Sequence, residues 1–267
     1  MKVAYWLITL NPRSANARSI IDDLAKGGVR AEIFDAVDGR AGEPPLEDGE
    51  SINTRRAYLF RKKLLTPTQV GCYLSHLRAV KKAYSDGYDR LCIMEDDIAI
   101  DDGFFDVLPE ILSLDESYEL VRLMGLRIRK RKILSGLVGG RFDLVRPVRG
   151  VAGTQGYVIN RSGMEKLMNT APNMYEPIDI VYDHSFIHKI RVFGVEPHVI
   201  HEIESDSSIS RTDKAAPVIP LLYRLLYPFS KLYLSCSRTY YKLKNYKDFM
   251  PASYPASSIG RTKRMRR

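Results

Sequence analysis

Cysteine is almost missing from this sequence, and what there is does not pair. Cys72, Cys92 and Cys236 are odd in number, far apart and nowhere arranged as C-x-x-C. A disulfide framework and a zinc knuckle are therefore excluded, and a reducing compartment is expected. Histidine is scarce as well: five residues, none in an H-x-H or H-D pair, leave little from which to build a histidine-rich hydrolase centre. No run of about 18 uncharged apolar residues occurs, so no transmembrane helix is expected. The apolar residues after Met1 meet Asn11-Pro12-Arg13 too early for a signal peptide, and no small-residue cleavage site follows. Acidic residues all but vanish at the C-terminal end. Residues 214–267 hold twelve Lys and Arg against Asp248 alone, giving +11, while residues 1–213 carry −2. The net +9 thus belongs to a tail. That argues against a nucleic-acid-binding core and for an anionic surface met by the C-terminus.

What is present reads as α/β. With 267 residues, 45% hydrophobic and 27% charged, the chain can bury a sizeable core and is neither disordered nor collagenous. Residues 3–10 read as a buried strand ended by Asn11-Pro12. Ser14 or Asn16 caps a helix that stops at Gly27-Gly28, and residues 29–34 form a second strand. Residues 39–56 read as a surface loop. Thr66-Pro67-Thr68-Gln69 is a capping-box start with Pro at the first helical position, and the helix ends at Gly87. Further strands are expected at residues 91–94, 118–124, 156–160 and 193–200. Helices follow Asp101 or Asp102, Ser162 as a cap, and Pro177. Alternating strands and helices without an internal repeat predict one α/β domain over residues 1–213 and an appendage over residues 214–267.

Glu95-Asp96-Asp97 is the sharpest motif. Three carboxylates directly after a buried strand repel one another and need a neutralising partner. Positions 95 and 97 of an extended chain point the same way, and hard oxygen donors suit Mg²⁺ or Mn²⁺; the plain alternative is a solvated acidic turn. His76 lies beside the apolar face of the capped helix, where a hydrogen-bonded packing role is the commoner one. Arg13 and Arg18 flank a helix start, a place that favours phosphate. Residues 127–132 (RIRKRK) form a basic edge that is either solvated or able to meet phosphates on an acceptor, and residues 150–156 (GVAGTQG) a loop that must approach something closely. Asp179 and Asp183, four apart on the helix after Pro177, share a face, and either could be a base.

In order, these motifs resemble glycosyltransferase family 25, the bacterial lipooligosaccharide and lipopolysaccharide glycosyltransferases related to collagen galactosyltransferases. The resemblance runs from about Val3 to Ile209. It is carried by Ile8-Thr9-Leu10 with Arg13 and Arg18, residues 35–39 (DAVDG), residues 65–77 with Ser75-His76-Leu77, and Glu95-Asp96-Asp97. Residues 154–159 with Gly163, Pro177-Ile178-Asp179 and Ser207-Ser208-Ile209 complete it. It implies a GT-A-like single nucleotide-sugar-binding domain, a UDP-galactose or UDP-glucose donor, Mn²⁺ or Mg²⁺, and inversion at the anomeric carbon. By resemblance Glu95 and Asp97 hold the metal, and Arg13, Arg18, His76, Asp96 and Gln155 contact the donor. Asp179 is the expected base with Asp183 in reserve, since the metal ligands lie on the leaving-group side and Asp101, Asp102 and Asp106 read as helix-start residues. Residues 128–149 match nothing in the family, and acceptor choice is expected there.

Independently, Leu222, Leu225, Leu226, Phe229, Leu232, Tyr233, Cys236, Tyr240 and Leu243 fall on one helical stripe, with Arg224, Lys231 and Arg238 on another and Pro228 expected to kink or split the helix. Such a basic, tyrosine-rich helix is expected on an anionic membrane surface. The sequence thus predicts a metal-dependent hexosyltransferase acting on a lipid-linked oligosaccharide, peripheral on the cytoplasmic face of the inner membrane, without nucleic acid. The rival readings are a metal-dependent phosphoesterase or nuclease, and a non-enzymatic membrane or nucleic-acid adaptor.

Overall fold

The computed structural model describes residues 1–203, 219–255 and 259. Ser207-Ser208-Ile209 and the expected boundary at 213/214 lie outside them. The chain opens with β1 (Val3–Thr9), α1 (Ala15–Lys26) and β2 (Glu32–Asp35). Ser14 is the cap of α1, its hydroxyl accepting from the Ala17 amide. Next come β3 (Ser51–Ile52), α2 (Thr54–Arg61), α3 (Pro67–Ser85), β4 (Arg90–Glu95), β5 (Ile98–Ile100) and α4 (Gly103–Ser113). The expected capping box is formed at Thr66 and Gln69. The remainder of the body is β6 (Leu120–Arg122), β7 (Arg131–Leu137), β8 (Phe142–Pro147), β9 (Gly156–Asn160), α5 (Arg161–Thr170), β10 (Asn173–Met174), α6 (Ile178–Asp183), α7 (Ser185–His188), β11 (Val192–Glu196) and β12 (Ile200–Glu202). α8 (Leu221–Lys244) and α9 (Tyr246–Phe249) follow.

Eight strands form one mixed sheet in the order β2-β1-β4-β9-β6-β11-β8-β7. β1 runs parallel to β2 and β4, β9 is antiparallel between β4 and β6, and β11 is parallel to β6. Both faces are covered, which is why β4 reads as an unbroken apolar run. Leu91 and Ile93 enter the core beneath α3 and α5, whereas Cys92 and Met94 enter the core beneath α1 and α4. The expected α/β fold with a mixed sheet and a helical appendage is present.

Three local expectations are corrected, and two points left open, residues 128–149 and the kink or split at Pro228, gain detail. The strand at 193–200 is two strands, interrupted at Pro197, which has no N–H to give a ladder. α5 is capped by Asn160, whose side chain accepts from the Gly163 amide at 2.9 Å, while Ser162 instead donates to Glu119. Residues 128–149 contain the β7–β8 hairpin. Pro228 does not split α8, which runs 24 residues through it. Residues 39–56 are not simply a surface loop: they hold β3, the start of α2 and the buried Glu50, which pairs with Arg78 at 2.8 Å and Lys81 at 2.9 Å on α3.

Burial pushes the Glu50 carboxyl up, but Arg78, the Glu47 amide and Lys81 outweigh it and hold the group at about 2. A folded-state value below the unfolded one stabilises above the unfolded pKa, and that stabilisation is lost as pH falls through about 4.5 toward about 2. Glu50→Gln is therefore expected to cost about 3 kcal/mol at pH 7. The gap between variant and wild type should close over that acidic window in urea titrations. A pH-independent gap would show that packing, not charge, holds this segment.

Candidate active site

The carboxyl end of β4 meets the start of β9 and the end of β6, because the antiparallel β9 begins where its two neighbours finish. Met94 faces Gly156 and Arg122 faces Tyr157 in register, and the Glu95 amide extends the ladder to the Gln155 carbonyl at 2.8 Å. Glu95 accordingly projects from the last position of a buried strand. Its Oε1 accepts from the Thr154 hydroxyl at 2.5 Å and lies 3.2 Å from His76 Nε2. His76 Nδ1 in turn lies 3.1 Å from the Tyr157 hydroxyl, which pairs with Tyr182 at 2.8 Å. Burial alone would raise the Glu95 carboxyl, yet His76 and Thr154 hold it below the usual carboxylate range.

Asp96 turns the other way and accepts from the hydroxyl of Thr9, the last residue of β1, while the Asn16 amide donates to its backbone carbonyl. These contacts seat the first turn of α1, with Arg13 and Arg18, against the acidic turn. Both arginines are exposed, and Arg18 donates to the Arg13 carbonyl at 2.7 Å. Asp97 differs from its neighbours. Its Oδ1 is buried without a hydrogen-bond partner, and burial, then Glu95, Glu202 and Asp96, push its carboxyl up to about 8. An orphaned carboxylate oxygen whose ionisation its acidic neighbours oppose gains from a cation, and with Glu95 two residues away it offers two hard oxygen donors that fit Mg²⁺ or Mn²⁺. Glu95 and Asp97 would hold it. Among the described residues no group of three His, Cys, Asp or Glu side chains is arranged to hold an ion alone. Two carboxylates, a diphosphate and water make up a common Mg²⁺ shell.

Asp179 and Asp183 part company in spite of sharing α6. Asp183 makes a buried ion pair with Arg122 at 2.8 Å, and its other oxygen accepts from the Ala152 amide at 3.1 Å. Gly150 is required there, since a Cβ would fall 2.0 Å from the Asp183 carboxyl carbon. Ala152 adopts φ 57°, a left-handed conformation costly for a residue with a side chain, and it is held by Asp183 on one side and Arg122 on the other. Asp179 has no ion pair among the described residues. Burial raises its carboxyl, Arg122 opposes this, and Asp183 adds to it. Cys72 on α3 marks the shared ground: its thiol is pushed well up, first by burial and then by Glu95, Asp179 and Asp97. Glu95, Asp97 and Asp179 thus all lie near enough to Cys72 to act on its thiol, and residues 150–156 join the acidic motif to α6, reaching Asp183 through Ala152 and Glu95 through Thr154.

Of the expected donor contacts, Arg13, Arg18 and Asp96 cluster at the β1–α1 turn. His76 is 1% exposed with both ring nitrogens engaged, which places it behind Glu95 as a support. Gln155 is buried with its Oε1 unpartnered, beside Gly153. Arg122, Tyr182 and Glu202 escape a reading of the sequence altogether, while Thr9, Thr154 and Tyr157 show there only as members of motifs and Asn16 only as a candidate cap, without a role at the site. Of the first three, only Arg122 leaves a signal, as a lone charge inside an apolar strand that must find a buried partner.

A sequence profile described as "Glycosyltransferase family 25 (LPS biosynthesis protein)" matches residues 4–182. A Rattus norvegicus protein described as "Probable inactive glycosyltransferase 25 family member 3" is 25% identical over 177 residues, covering 62% of this chain and 30% of its own. Procollagen galactosyltransferase 1 of Danio rerio is 23% identical over 216 residues, covering 73% and 35%. The lacto-N-neotetraose biosynthesis glycosyltransferase of Neisseria meningitidis serogroup B is 24% identical over 191 residues, covering 66% of each chain. The chain spans about a third of the length of the animal relatives it matches.

Proposed function

The chain belongs to glycosyltransferase family 25, and from that membership we propose that it transfers galactose or glucose, with inversion, from a UDP-sugar to a lipooligosaccharide or lipopolysaccharide acceptor. The observation that carries this reading is that Glu95, Asp97 and Asp179, distant in sequence, all lie near enough to Cys72 to act on its thiol. In this reading the two carboxylates of the acidic motif serve the departing diphosphate and the third serves the attacking hydroxyl. Asp179 takes the proton of the acceptor hydroxyl, whose oxygen bonds to the anomeric carbon as the bond to the diphosphate oxygen breaks and its electron pair departs with UDP. Arg13, Arg18 and the amino end of α1 offset the charge that grows on the leaving group. A divalent ion at Glu95 and Asp97, when bound, supplies further neutralisation of that diphosphate.

Incubation with UDP-galactose or UDP-glucose, Mn²⁺ or Mg²⁺ and truncated oligosaccharide acceptors is expected to release UDP and lengthen an acceptor. Silence toward every nucleotide sugar, together with metal-dependent phosphodiester cleavage, would replace this reading with a phosphoesterase. Because several of the relatives are described as inactive or probably inactive, turnover itself is the informative readout.

The reading extends to the membrane. The apolar stripe of α8 faces solvent: Leu222, Leu225, Phe229, Leu232 and Leu243 are 61–69% exposed, and only Ser230 and Leu234 of this helix are buried. A helix serving only to pack on the body would show the reverse. Arg224 and Lys231 are exposed with the stripe, whereas Arg238, expected on the same basic face, is half-buried over the Phe186 ring of the body; each cation near an anionic surface contributes about 1 kcal/mol. No helix among the described residues is long and apolar enough to cross a membrane. Attachment in the interface, on a cytoplasmic face, is the proposal. Leu225→Asp/Leu232→Asp is expected to lose flotation with anionic vesicles while melting like wild type; equal flotation would refute it.

A further inference from the structure

A cavity of about 240 Å³ lies between α8 and the body, walled by α6, the base of the β7–β8 hairpin and the loop at Gly150. Seven cationic side chains reach it against a single carboxylate, Asp183, which Arg122 already neutralises. Four of the seven, Arg127, Arg149, Arg238 and Lys242, have no ion pair or hydrogen bond among the described residues. Arg238 only lies over the Phe186 ring, at 5.2 Å. Burial, then Arg149, disfavours the charged forms of both Arg238 and Lys242, so these cations crowd one another. Deeper in the wall Arg122 and Arg146 are 2% and 1% exposed, and each keeps a buried Nε without a partner. Unrelieved positive charge in a sheltered cavity is costly, and an anion is what relieves it.

We propose that this cavity is a subsite for a compact oxyanion, a phosphate monoester or carboxylate, carried by the acceptor saccharide. The inference rests on the glycosyltransferase reading for the identity of its carrier, but not for the charge it takes. Three observations select the carrier. The wall includes Ile180, Tyr182 and Asp183 of α6, and Arg122 donates to the Asp179 carbonyl at 3.0 Å, so the cavity opens beside the residue that would receive the acceptor hydroxyl. The volume is below the roughly 300–1,000 Å³ of sites that enclose whole drug-sized ligands, which suits a substituent. Arg238 and Lys242 face the body across the cavity, whereas the exposed stripe of α8 points to solvent, so a lipid headgroup bound through that stripe would not enter. The basic run at 127–132 also divides its labour: Arg127 and Arg129 line the cavity, while Arg131 pairs with Glu196 at 2.7 Å.

Calorimetry on the full chain with glucose 6-phosphate, inorganic phosphate and glucose tests the subsite without requiring turnover. Glucose 6-phosphate is expected to bind more tightly than phosphate, glucose not to bind, and added salt to weaken the complex. Arg149→Gln/Arg238→Gln should weaken glucose 6-phosphate by about tenfold or more, while metal-dependent UDP release from donor alone and flotation with anionic vesicles stay at wild-type levels. Unchanged affinity in the double variant overturns the subsite. Phosphate binding as tightly as the sugar phosphate, or flotation lost in the double variant, overturns the acceptor as its source. If the chain releases no UDP from any donor yet the double variant loses the sugar phosphate, the transferase reading fails and the oxyanion site stands.

Discussion

Asp97→Asn is expected to lower transfer by about 10³ or more and yet to give a metal-free protein more stable than wild type. The two effects share a cause. Asp97 occupies a buried position where Glu95, Glu202 and Asp96 all oppose its ionisation, a liability in the free chain and an asset once a cation is bound. The sign of the stability effect follows from linkage. A carboxyl whose folded-state value is near 8 binds more protons in the native than in the unfolded state between about pH 4 and 8, so wild-type stability falls as pH rises through that window. Asparagine does not titrate, so the advantage of the variant should grow with pH and level off above about 8, at about 1–3 kcal/mol. Thermal melts across that range, with and without Mn²⁺, read both effects. A variant that keeps the Mn²⁺-induced shift in Tm, or that turns over with undiminished Mn²⁺ dependence, would remove Asp97 from the metal site.

What the sequence discloses and what it hides divide by distance along the chain. The capping box at Thr66 and Gln69, the Ser14 cap and the stop at Gly27 are set by neighbours three or four residues apart, and all are visible in a window of that size. The run Glu95-Asp96-Asp97 is legible for the same reason, since its unfavourable charge density is itself local. The partners that give these carboxylates their character are not. Thr9 meets Asp96 across 87 residues and His76 meets Tyr157 across 81, and no periodicity connects them. Asn160 displaces Ser162 as the cap of α5 because both residues are good caps and only the strand end, fixed by β6 and β4, decides between them. Glu50 is hidden among glycines, prolines and other acids, where a turn-rich composition signals exposure. Two cations of α3 draw it into the protein instead. The stripe of α8, by contrast, is legible in full, because an unpartnered face needs no tertiary information.

Asp179 and Asp183 look equivalent in the sequence, one helical turn apart, and the folded environment separates them. A general base needs a lone pair that can receive a proton and a carboxyl value lifted toward the working pH. Asp183 has neither oxygen idle, with Arg122 on one and the Ala152 amide on the other. Asp179 accepts only from backbone amides, those of Ile180 and Gly153, and makes no ion pair among the described residues, so burial lifts its carboxyl. Asp179→Asn is therefore expected to reduce kcat by about 10² or more, the scale of a lost general base. UDP-sugar affinity should stay within a few-fold and the melting temperature close to wild type. Asp183→Asn should fail differently. Removing one partner of a buried pair strands the Arg122 guanidinium, at a cost of about 3–5 kcal/mol, and releases residues 150–156 with the Thr154 contact to Glu95. Lower stability and weaker donor binding are then expected together. The pH profile discriminates further, because a base acting through Asp179 gives a kcat limb that rises with pH and is absent from Asp179→Asn. An Asp183→Asn protein that melts like wild type and has lost turnover, beside an Asp179→Asn protein that turns over normally, would move the base one helical turn along α6.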